Sequence, residues 1–508
     1  MKSKFSATDT SRRRVLACLT CALLLGPLSI NAATLERTLA QGKKLLYVMN
    51  YHEVELAKQE DPPRPALIKM KQEVLDEDWK VVAHLKSLGF IVTTCDESGD
   101  VSLAKGKDVV AISESVNAYQ VANKYTLLTI PVIVWENDIF DDMRMTGKRL
   151  RLDYGTYIKG ATALQLFNAP HPLSAGLSAG VHQILQSPPP INWGLPGLGA
   201  TIIATLPDQP DKVAIFAYEK GATMEYDYTA PGRRVGFFAN RDYFEKLTPD
   251  GRALFDAAFL WAVSPAKQPV PDHGAGARLL YFMNLHNLEF AKAEVPLDAT
   301  LVKRLQKTAD NDRKVIERFK SLGFVVSIAD EHPTSDVISG KDLIVISNSV
   351  DARQMLGRYA GLDVPIVTWA SDLYPGLHMT GNLAGQDYGT TGTVGGKDGD
   401  RFTCIVNAPH PLAAGLRADA IQDLYDDNEF ITNWGKPSLG AINIAVIEGY
   451  PDKRLVFAYE KGASMTDNVL APARRVAYFL NTEDFGELQP AGLALLDAAV
   501  LWAAKSPR

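Results

Sequence analysis

Short runs of apolar, β-branched residues alternate along the chain with segments in which apolar side chains recur at helical spacing. In the first half, four runs are of the kind that is buried on both faces of a parallel sheet: Leu45–Asn50, Ile91–Cys95, Asp108–Ser113 and Pro131–Trp135. Asp78–Leu88 carries one apolar stripe at helical spacing, and Gly89 follows it as a C-cap. The alternation predicts an α/β domain with a doubly wound sheet and right-handed crossovers.

The strand pattern resumes later in the same half. Val213–Tyr218 and Arg234–Phe238 are candidate strands, and a closing helix is predicted from about Pro249 to Val263. Thr248 stands immediately before that helix, where its hydroxyl would cap the first free N–H groups. The first half therefore holds a full set of strands and helices for one domain.

The second half of the chain repeats the first. Repeated strings are LLY at 45–47 and 279–281, NAPHPL at 168–173 and 407–412, and FAYEKGA at 216–222 and 457–463. The shift between the copies grows from 234 to 239 and then to 241 positions, so the second copy carries small insertions. The first insertion is expected in the Gly-rich segment Thr390–Asp400, where added loop length costs little.

A segment rich in Pro and Gly separates the two copies, and a distinct leader precedes them. The predicted division is a signal peptide at 1–33, one domain at 40–264, a linker at 265–277 and a second domain at 278–508. A chain of 508 residues suits two domains of this size.

The leader has the three parts of an export signal. Arg12–Arg14 precede the apolar run Val15–Leu28, and small residues follow at Ala32 and Ala33. Their order resembles the twin-arginine motif, although several basic residues alone would suit the general secretory route. No later apolar run reaches the ~20 residues needed to cross a bilayer. We therefore expect a periplasmic or secreted protein without membrane insertion after the signal is removed.

The charge balance excludes one large class of partners. The formal net charge is -6 and the pI is about 5.9, so the chain has no basic surplus with which to neutralise phosphates. Nucleic acid is not an expected partner.

Two cysteines, Cys95 and Cys404, lie beyond the leader. They do not occupy matching places in the two copies, which argues against a shared metal or catalytic role. Either they form one interdomain disulfide in an oxidising compartment, or they are two separate buried thiols.

The strand ending at Ser113, the sharp turn after Pro131–Trp135, and the closing stretches Arg233–Phe238 and Leu254–Ala262 resemble the class I glutamine amidotransferase-like superfamily. Within it, the nearest branch is the trehalose-utilisation, or ThuA-like, proteins. The resemblance covers nearly the whole mature chain, twice. It implies two tandem flavodoxin-like domains of the α/β class, each with a doubly wound, mainly parallel sheet.

The same resemblance implies where a glutaminase triad would lie. True amidotransferases place a nucleophilic Cys at the turn after the Pro131–Trp135 strand, and a His and a Glu after a late strand. This chain has Trp135-Glu136-Asn137 at the first place, and we assign Tyr218-Glu219-Lys220 to the second. Without the Cys and the His, glutamine hydrolysis is not expected.

Glu136 and His52 are the candidate catalytic residues. A carboxylate at a tight turn beside Trp135 could be desolvated and act as a general acid or base. The alternative is a carboxylate held at a helix N-terminus by the helix dipole. The second copy has Ala370 at the matching place, so a catalytic Glu136 would mean that this copy has lost the function.

Candidate ligand-binding residues are polar or aromatic side chains at strand ends and loops, most of them present in both copies. They are Asn50, Asp153, His171, Trp193 and Glu219 in the first copy, and Asn284, His286, Asp387, His410, Trp434 and Glu460 in the second. An exposed Trp beside an Asn would suit a sugar ring, whereas the alternative is a Trp that plugs its loop onto the core. For His171 the alternative is a turn residue bonded to nearby backbone. No close ligand spacing supports a metal, and no cofactor is predicted.

Three functions follow as hypotheses. The leading one is an exported protein that binds a carbohydrate or a sugar-related small molecule at the cell envelope. A second is a hydrolase or lyase that acts on a sugar-related molecule through the first domain. A third is a structural scaffold for an envelope assembly.

Overall fold

The computed structural model describes residues 39–240, 243–265, 274, 276–391, 402–418, 420–425 and 430–504. The predicted signal peptide, most of the linker and most of the predicted insertion at 390–400 lie outside the described residues. Each copy forms its own sheet of eleven strands, and we refer to the copies as domain 1 and domain 2. The expected two-domain α/β architecture is confirmed.

The strands of domain 1 are β1 (Lys44–Met49), β2 (Ile91–Asp96), β3 (Val109–Ile112), β4 (Val132–Val134), β5 (Tyr154–Tyr157), β6 (Ala163–Leu166), β7 (Gly180–Gln183), β8 (Ile191–Gly194), β9 (Thr201–Leu206), β10 (Gln209–Tyr218) and β11 (Arg234–Gly236). Its α-helices are α1 (His52–Gln59), α2 (Pro65–Ser87), α3 (Ala118–Val121) and α4 (Pro249–Val263).

Domain 2 repeats this order. Its strands are β12 (Arg278–Phe282), β13 (Val325–Ala329), β14 (Leu343–Ile346), β15 (Ile366–Thr368), β16 (Tyr388–Thr390), β17 (Phe402–Ile405), β18 (Ile421–Asp423), β19 (Asn433–Gly435), β20 (Ile442–Ile447), β21 (Tyr450–Tyr459) and β22 (Arg475–Ala477). Its α-helices are α5 (Asn287–Ala293), α6 (Ala299–Ser321), α7 (Ser335–Ile338), α8 (Ala352–Met355) and α9 (Pro490–Ala504).

Each sheet has a parallel half and an antiparallel half. In domain 1 the order β2-β1-β3-β4-β11 runs parallel, which is the flavodoxin-like arrangement. The remaining strands continue it antiparallel as β10-β9-β6-β7, with β8 and β5 beside β10. The expectation of a mainly parallel sheet therefore holds for the half that resembles flavodoxin. The connection from β10 to β11 has no α-helix to form a parallel crossover, so the chain reverses there instead.

Alternating side chains of the parallel strands pack into two cores. On one face Tyr47 and Ile133 lie against the long helices α2 and α4. On the other face Leu46 and Val132 lie against short helices and loops. Burial on both faces is why β3 and β4 are apolar throughout rather than alternating.

Helix ends follow the predicted signals where a specific group supplies the cap. The Thr248 hydroxyl accepts the N–H of Gly251 at 3.1 Å at the start of α4, as predicted. Gly89 has φ +109° just after α2, a conformation that favours glycine. The predicted start of α2 at Asp78 is too late, because the helix begins at Pro65. Its fully buried residues lie only from Glu77 onward.

Candidate functional site

The carboxyl ends of β1 and β3 form a crevice, because the chain leaves these neighbouring strands toward opposite sides of the sheet. In domain 1 the backbone N–H of Asn50 donates to Ser115 Oγ at 3.1 Å across this crevice. In domain 2 the matching bond runs from Asn284 to Ser349 at 3.3 Å. We call these two places the switch-point clefts.

A buried aspartate lies beneath each switch-point cleft. In domain 1, Asp78 Oδ1 accepts hydrogen bonds from the Tyr47 hydroxyl at 2.7 Å and the Ser113 hydroxyl at 2.6 Å. In domain 2, Asp312 Oδ1 accepts from the Tyr281 hydroxyl at 2.6 Å. In both residues the second carboxylate oxygen, Oδ2, is buried without a hydrogen-bond partner. Such an oxygen is costly to bury unless a donor reaches it, and hydroxyl groups that favour the ionised aspartates lie nearby, Ser115 in domain 1 and Ser349 in domain 2.

Burial changes the acidity of both aspartates. Desolvation raises the pKa of Asp78 to about 6, against hydrogen bonds from Ser113 and Tyr47 that favour the ionised form. Desolvation likewise raises the pKa of Asp312. Perturbed acids that border a cleft are functional-site candidates.

The two clefts differ in how much space they offer. The domain 2 cleft has a volume of about 200 Å³, and Asp312, Asn348, Arg304 and Thr308 are among the residues that border it. The domain 1 cleft, bordered by matching positions, has only about 20 Å³.

Three differences between the copies lie at the borders of these clefts. Met70 and Val74 stand in domain 1 where domain 2 has Arg304 and Thr308. In addition, Lys71 forms an ion pair with Glu53 across the domain 1 cleft. The open polar cleft of domain 2 is therefore the better candidate site.

Candidate residues Asn50 and His52 form a polar network beside the domain 1 cleft. The Asn50 amide donates to the buried Glu97 at 3.0 Å, and His52 Nδ1 lies 2.7 Å from Asp96 Oδ2. The hydrogen bond with Asp96 raises the pKa of His52, whereas burial raises the pKa of Glu97. In domain 2 the network recurs, with Asn284 on Glu331 and a longer contact of 3.3 Å from His286 to Asp330.

Glu136 follows β4 and begins a short 3-10 helix. Its Oε1 accepts the backbone N–H of Asp138 at 2.9 Å, and its backbone has an ordinary extended conformation with φ -78°. This is the helix N-terminal role that stands as the alternative to catalysis. In domain 2, Ala370 precedes the matching helix without a side-chain cap.

The assignment of Glu219 to the edge of the sheet that holds Glu136 was wrong. Glu219 follows β10, which runs antiparallel to β11, so it lies at the amino edge of the parallel strands. β11 runs parallel beside β4, and the segment after β11 carries Asn240. The Asn240 amide donates to Asn192 at 2.7 Å.

Four other candidates meet at an interdomain cavity. A space of about 460 Å³ is bordered by His171 and Glu219 from domain 1 and by His410 and Glu460 from domain 2. The Glu219 carboxylate accepts from Arg233 Nε at 2.7 Å.

The two histidines at this cavity have matching surroundings. His171 Nδ1 accepts the backbone N–H of Leu173 at 3.2 Å, and its ring lies 5.4 Å from that of Trp261. These contacts match the turn residue bonded to nearby backbone, which was the alternative to a binding role for His171. His410 has the same surroundings beside Leu412 and Trp502.

The two tryptophans are not exposed loop residues, and this expectation is corrected. Trp193 and Trp434 lie in strands β8 and β19 and are 4% and 5% exposed. A lysine lies over each indole, Lys212 at 5.3 Å and Lys453 at 5.4 Å. Neither ring offers a free face for a sugar.

Asp153 and Asp387 stabilise local turns and do not form part of an open binding surface. Asp153 accepts from Arg149 Nη2 at 2.7 Å and from its backbone N–H at 2.9 Å. Asp387 accepts the N–H of Leu383 at 3.0 Å. The partners of both aspartates lie four residues away within irregular segments. No periodic pattern of side chains in the sequence predicts such pairs.

Both cysteines are free thiols, Cys95 buried and Cys404 half-buried. Within the described ranges, no group of three or more His, Cys, Asp or Glu side chains is arranged to hold a metal ion. Among the same residues, no helix combines the length and the apolar character needed to cross a bilayer.

Comparison with known proteins gives solved structures only, since no family model and no curated protein matches the chain. A GMP synthase-type protein from Thermoplasma acidophilum is 14% identical, with a TM-score of 0.24, over 44% of this chain and 94% of that chain. A ThuA-like protein from Bacteroides uniformis is 14% identical, with a TM-score of 0.28, over 46% of this chain and 93% of that chain. These are the kinds of protein that the sequence resemblance indicated.

Proposed function

We propose that the chain is an exported protein that binds a carbohydrate-related small molecule in the switch-point cleft of domain 2. The observation that carries this proposal is the Asp312 carboxylate. It is 0% exposed, its Oδ2 has no hydrogen-bond partner, and it borders a cavity of about 200 Å³. A ligand hydroxyl that donates to this oxygen would satisfy it, whereas an unsatisfied buried acceptor costs about 1–3 kcal/mol.

The rim of the cleft is polar and held in place by its own hydrogen bonds. The Asn348 amide donates to Asn481 at 2.9 Å, and the N–H of Thr482 donates to Asn348 at 3.0 Å. Arg304 adds donors, and Glu483 adds acceptors. Donors and acceptors around one space suit hydroxyl groups, which act as both.

The volume limits the ligand. Drug-sized ligands occupy sites of roughly 300–1,000 Å³. A cleft of about 200 Å³ is smaller than these and suits a single sugar ring. Export is supported by Arg12–Arg14 and the apolar run that follows them. No comparable observation among the described residues supports a hydrolase or lyase, and none supports a scaffold.

Saturation-transfer NMR with D-glucose, D-galactose and D-mannose tests this function. At least one sugar should show transfer from the wild-type chain, and Asp312→Asn should abolish it because the amide replaces one acceptor oxygen with a donor. Asp78→Asn is the matched control, since its cleft is closed, and it should keep the signal. If all three sugars fail with the wild type, or if both variants behave alike, the proposal is wrong.

A further inference from the structure

The interdomain cavity of about 460 Å³ lies at the edge of the domain 1 sheet opposite the switch-point cleft. Asp108, Pro131 and Arg233 border it, and each directly precedes one of the parallel strands β3, β4 and β11. Pro409 and His410 of domain 2 border it as well. The cavity is therefore built by both domains and is separate from the proposed sugar site.

Within the described part of the chain, the charged side chains at this cavity form ion pairs, with Lys220 as the exception. Three ion pairs are neutral overall: Glu219 with Arg233 at 2.7 Å, Glu460 with Arg474 at 2.7 Å, and Asp108 with Lys43 at 3.4 Å. Lys220 also borders the cavity, and it forms no ion pair with any residue that the structure describes. One positive charge is left without a partner among those residues.

The duplication shows how this charge arises. Lys461 is the domain 2 counterpart of Lys220, and it pairs with Asp363 at 2.9 Å. The domain 1 position that matches Asp363 is Thr129, which borders the cavity. Domain 1 thus keeps the lysine but has a neutral residue in place of its acid.

A second donor that borders this cavity lacks a partner. Asn168 is 2% exposed and borders the cavity, and its Nδ2 makes no hydrogen bond. Apolar surface completes the border, from Pro170, Pro411 and Ile442 among others. The volume falls in the range of roughly 300–1,000 Å³ that holds organic ligands and is too large for an inorganic ion alone.

We propose that the interdomain cavity binds a small organic carboxylate, whose anionic group contacts Lys220 and Asn168 and whose apolar body lies against the prolines. This site does not depend on the sugar proposal, because none of the residues that border the interdomain cavity borders the domain 2 cleft.

Benzoate is a suitable probe, with benzyl alcohol as its neutral counterpart and phosphate as an inorganic anion. Titration followed by saturation-transfer NMR should show benzoate binding to the wild-type chain, with much weaker binding of benzyl alcohol. Phosphate, which competes for the cation alone, should displace benzoate poorly. Lys220 is exposed, so Lys220→Met should weaken benzoate binding by at most about fivefold, equivalent to the ~1 kcal/mol upper value for an exposed ion pair. Thr129→Asp should weaken it similarly, because it restores the acid that domain 2 has.

Lys461→Met is the matched control and should leave benzoate binding unchanged, because that lysine does not border the cavity. Benzoate that fails to bind, benzyl alcohol or phosphate that binds as well as benzoate, or equal losses in Lys220→Met and Lys461→Met would each overturn the proposal. The sugar signals of the wild type should persist in Lys220→Met, so the two proposals fail separately.

Discussion

The backbone N–H of Thr223 in domain 1 donates to the carbonyl of Val406 in domain 2 at 3.0 Å. The matching residue Ser464 donates in the opposite direction to Phe167 at 2.8 Å. Because exchange of the two copies reproduces the contact, the interface approximates a two-fold relation between the domains. Gly199 lies beneath it, where a Cβ would come within 2.4 Å of the Val406 carbonyl oxygen and 2.3 Å of that of Thr223.

Gly199→Ala should destabilise the chain through this interface. The added methyl has no room against two backbone carbonyls, so we expect a loss of about 1–3 kcal/mol in the free energy of unfolding. Differential scanning calorimetry would detect it as a lower transition temperature. Gly361→Ala, where a Cβ meets open space, is the control and should leave the transition within experimental error.

Asp78 should make stability depend on pH. Its folded pKa of about 6 lies above the ordinary value of 3.8, so folding favours the protonated form of Asp78. The resulting contribution to the free energy of unfolding is fully present below pH 3.8 and is lost as the pH rises through 6. The predicted loss is about 3 kcal/mol. Asp78→Asn removes this pH dependence, and urea unfolding at pH 4 and pH 7.5 should show the variant gaining on the wild type at the higher pH. Asp211→Asn, on the surface, should show no such gain, and a parallel response in both variants would refute the assignment.

Glu136→Gln should have a small effect. Gln keeps the acceptor for the Asp138 N–H and loses only the charge, so the expected cost is about 0.3–1 kcal/mol. Sugar binding in domain 2 and its pH profile should stay unchanged in NMR titrations. A loss of turnover on a sugar-related substrate in this variant would instead restore the catalytic role of Glu136.

The parallel half of each sheet could be predicted because strands buried on both faces carry continuous apolar runs, as in Val109–Ile112. The direction of a strand leaves no such mark. β10 looks like any other strand in the sequence, and its reversal moves Glu219 to the opposite edge of the sheet. Strand direction depends on the length and content of the connections, which composition alone does not reveal.

The buried aspartates of the clefts escape sequence reasoning for a related reason. Asp78 marks the start of the predicted helix, yet it lies well inside α2 and faces the core. The repeat contains a signal that could have identified this aspartate, since Asp312 occupies the matching place in the second copy. An acid retained among apolar helical positions in both copies indicates a buried partner, here Tyr47 or Tyr281.

Export through the twin-arginine route is tested by Arg12→Lys together with Arg13→Lys. The change keeps the positive charge but removes the paired guanidinium groups, so the precursor should accumulate in the cytoplasm. Fractionation followed by immunoblotting measures this. Normal processing and recovery outside the cytoplasm would exclude this route and leave general secretion as the explanation.

The central claim, that domain 2 binds a sugar at Asp312, is tested most directly by hydrogen–deuterium exchange with and without the best sugar from the NMR series. A ligand in the cleft should slow exchange in the part of α6 that carries Arg304 and Asp312, and in the turn at Asn348 and Ser349. The matching segments of domain 1 should exchange as before. Protection confined to residues 219–233, or protection that is unchanged in Asp312→Asn, would contradict the claim.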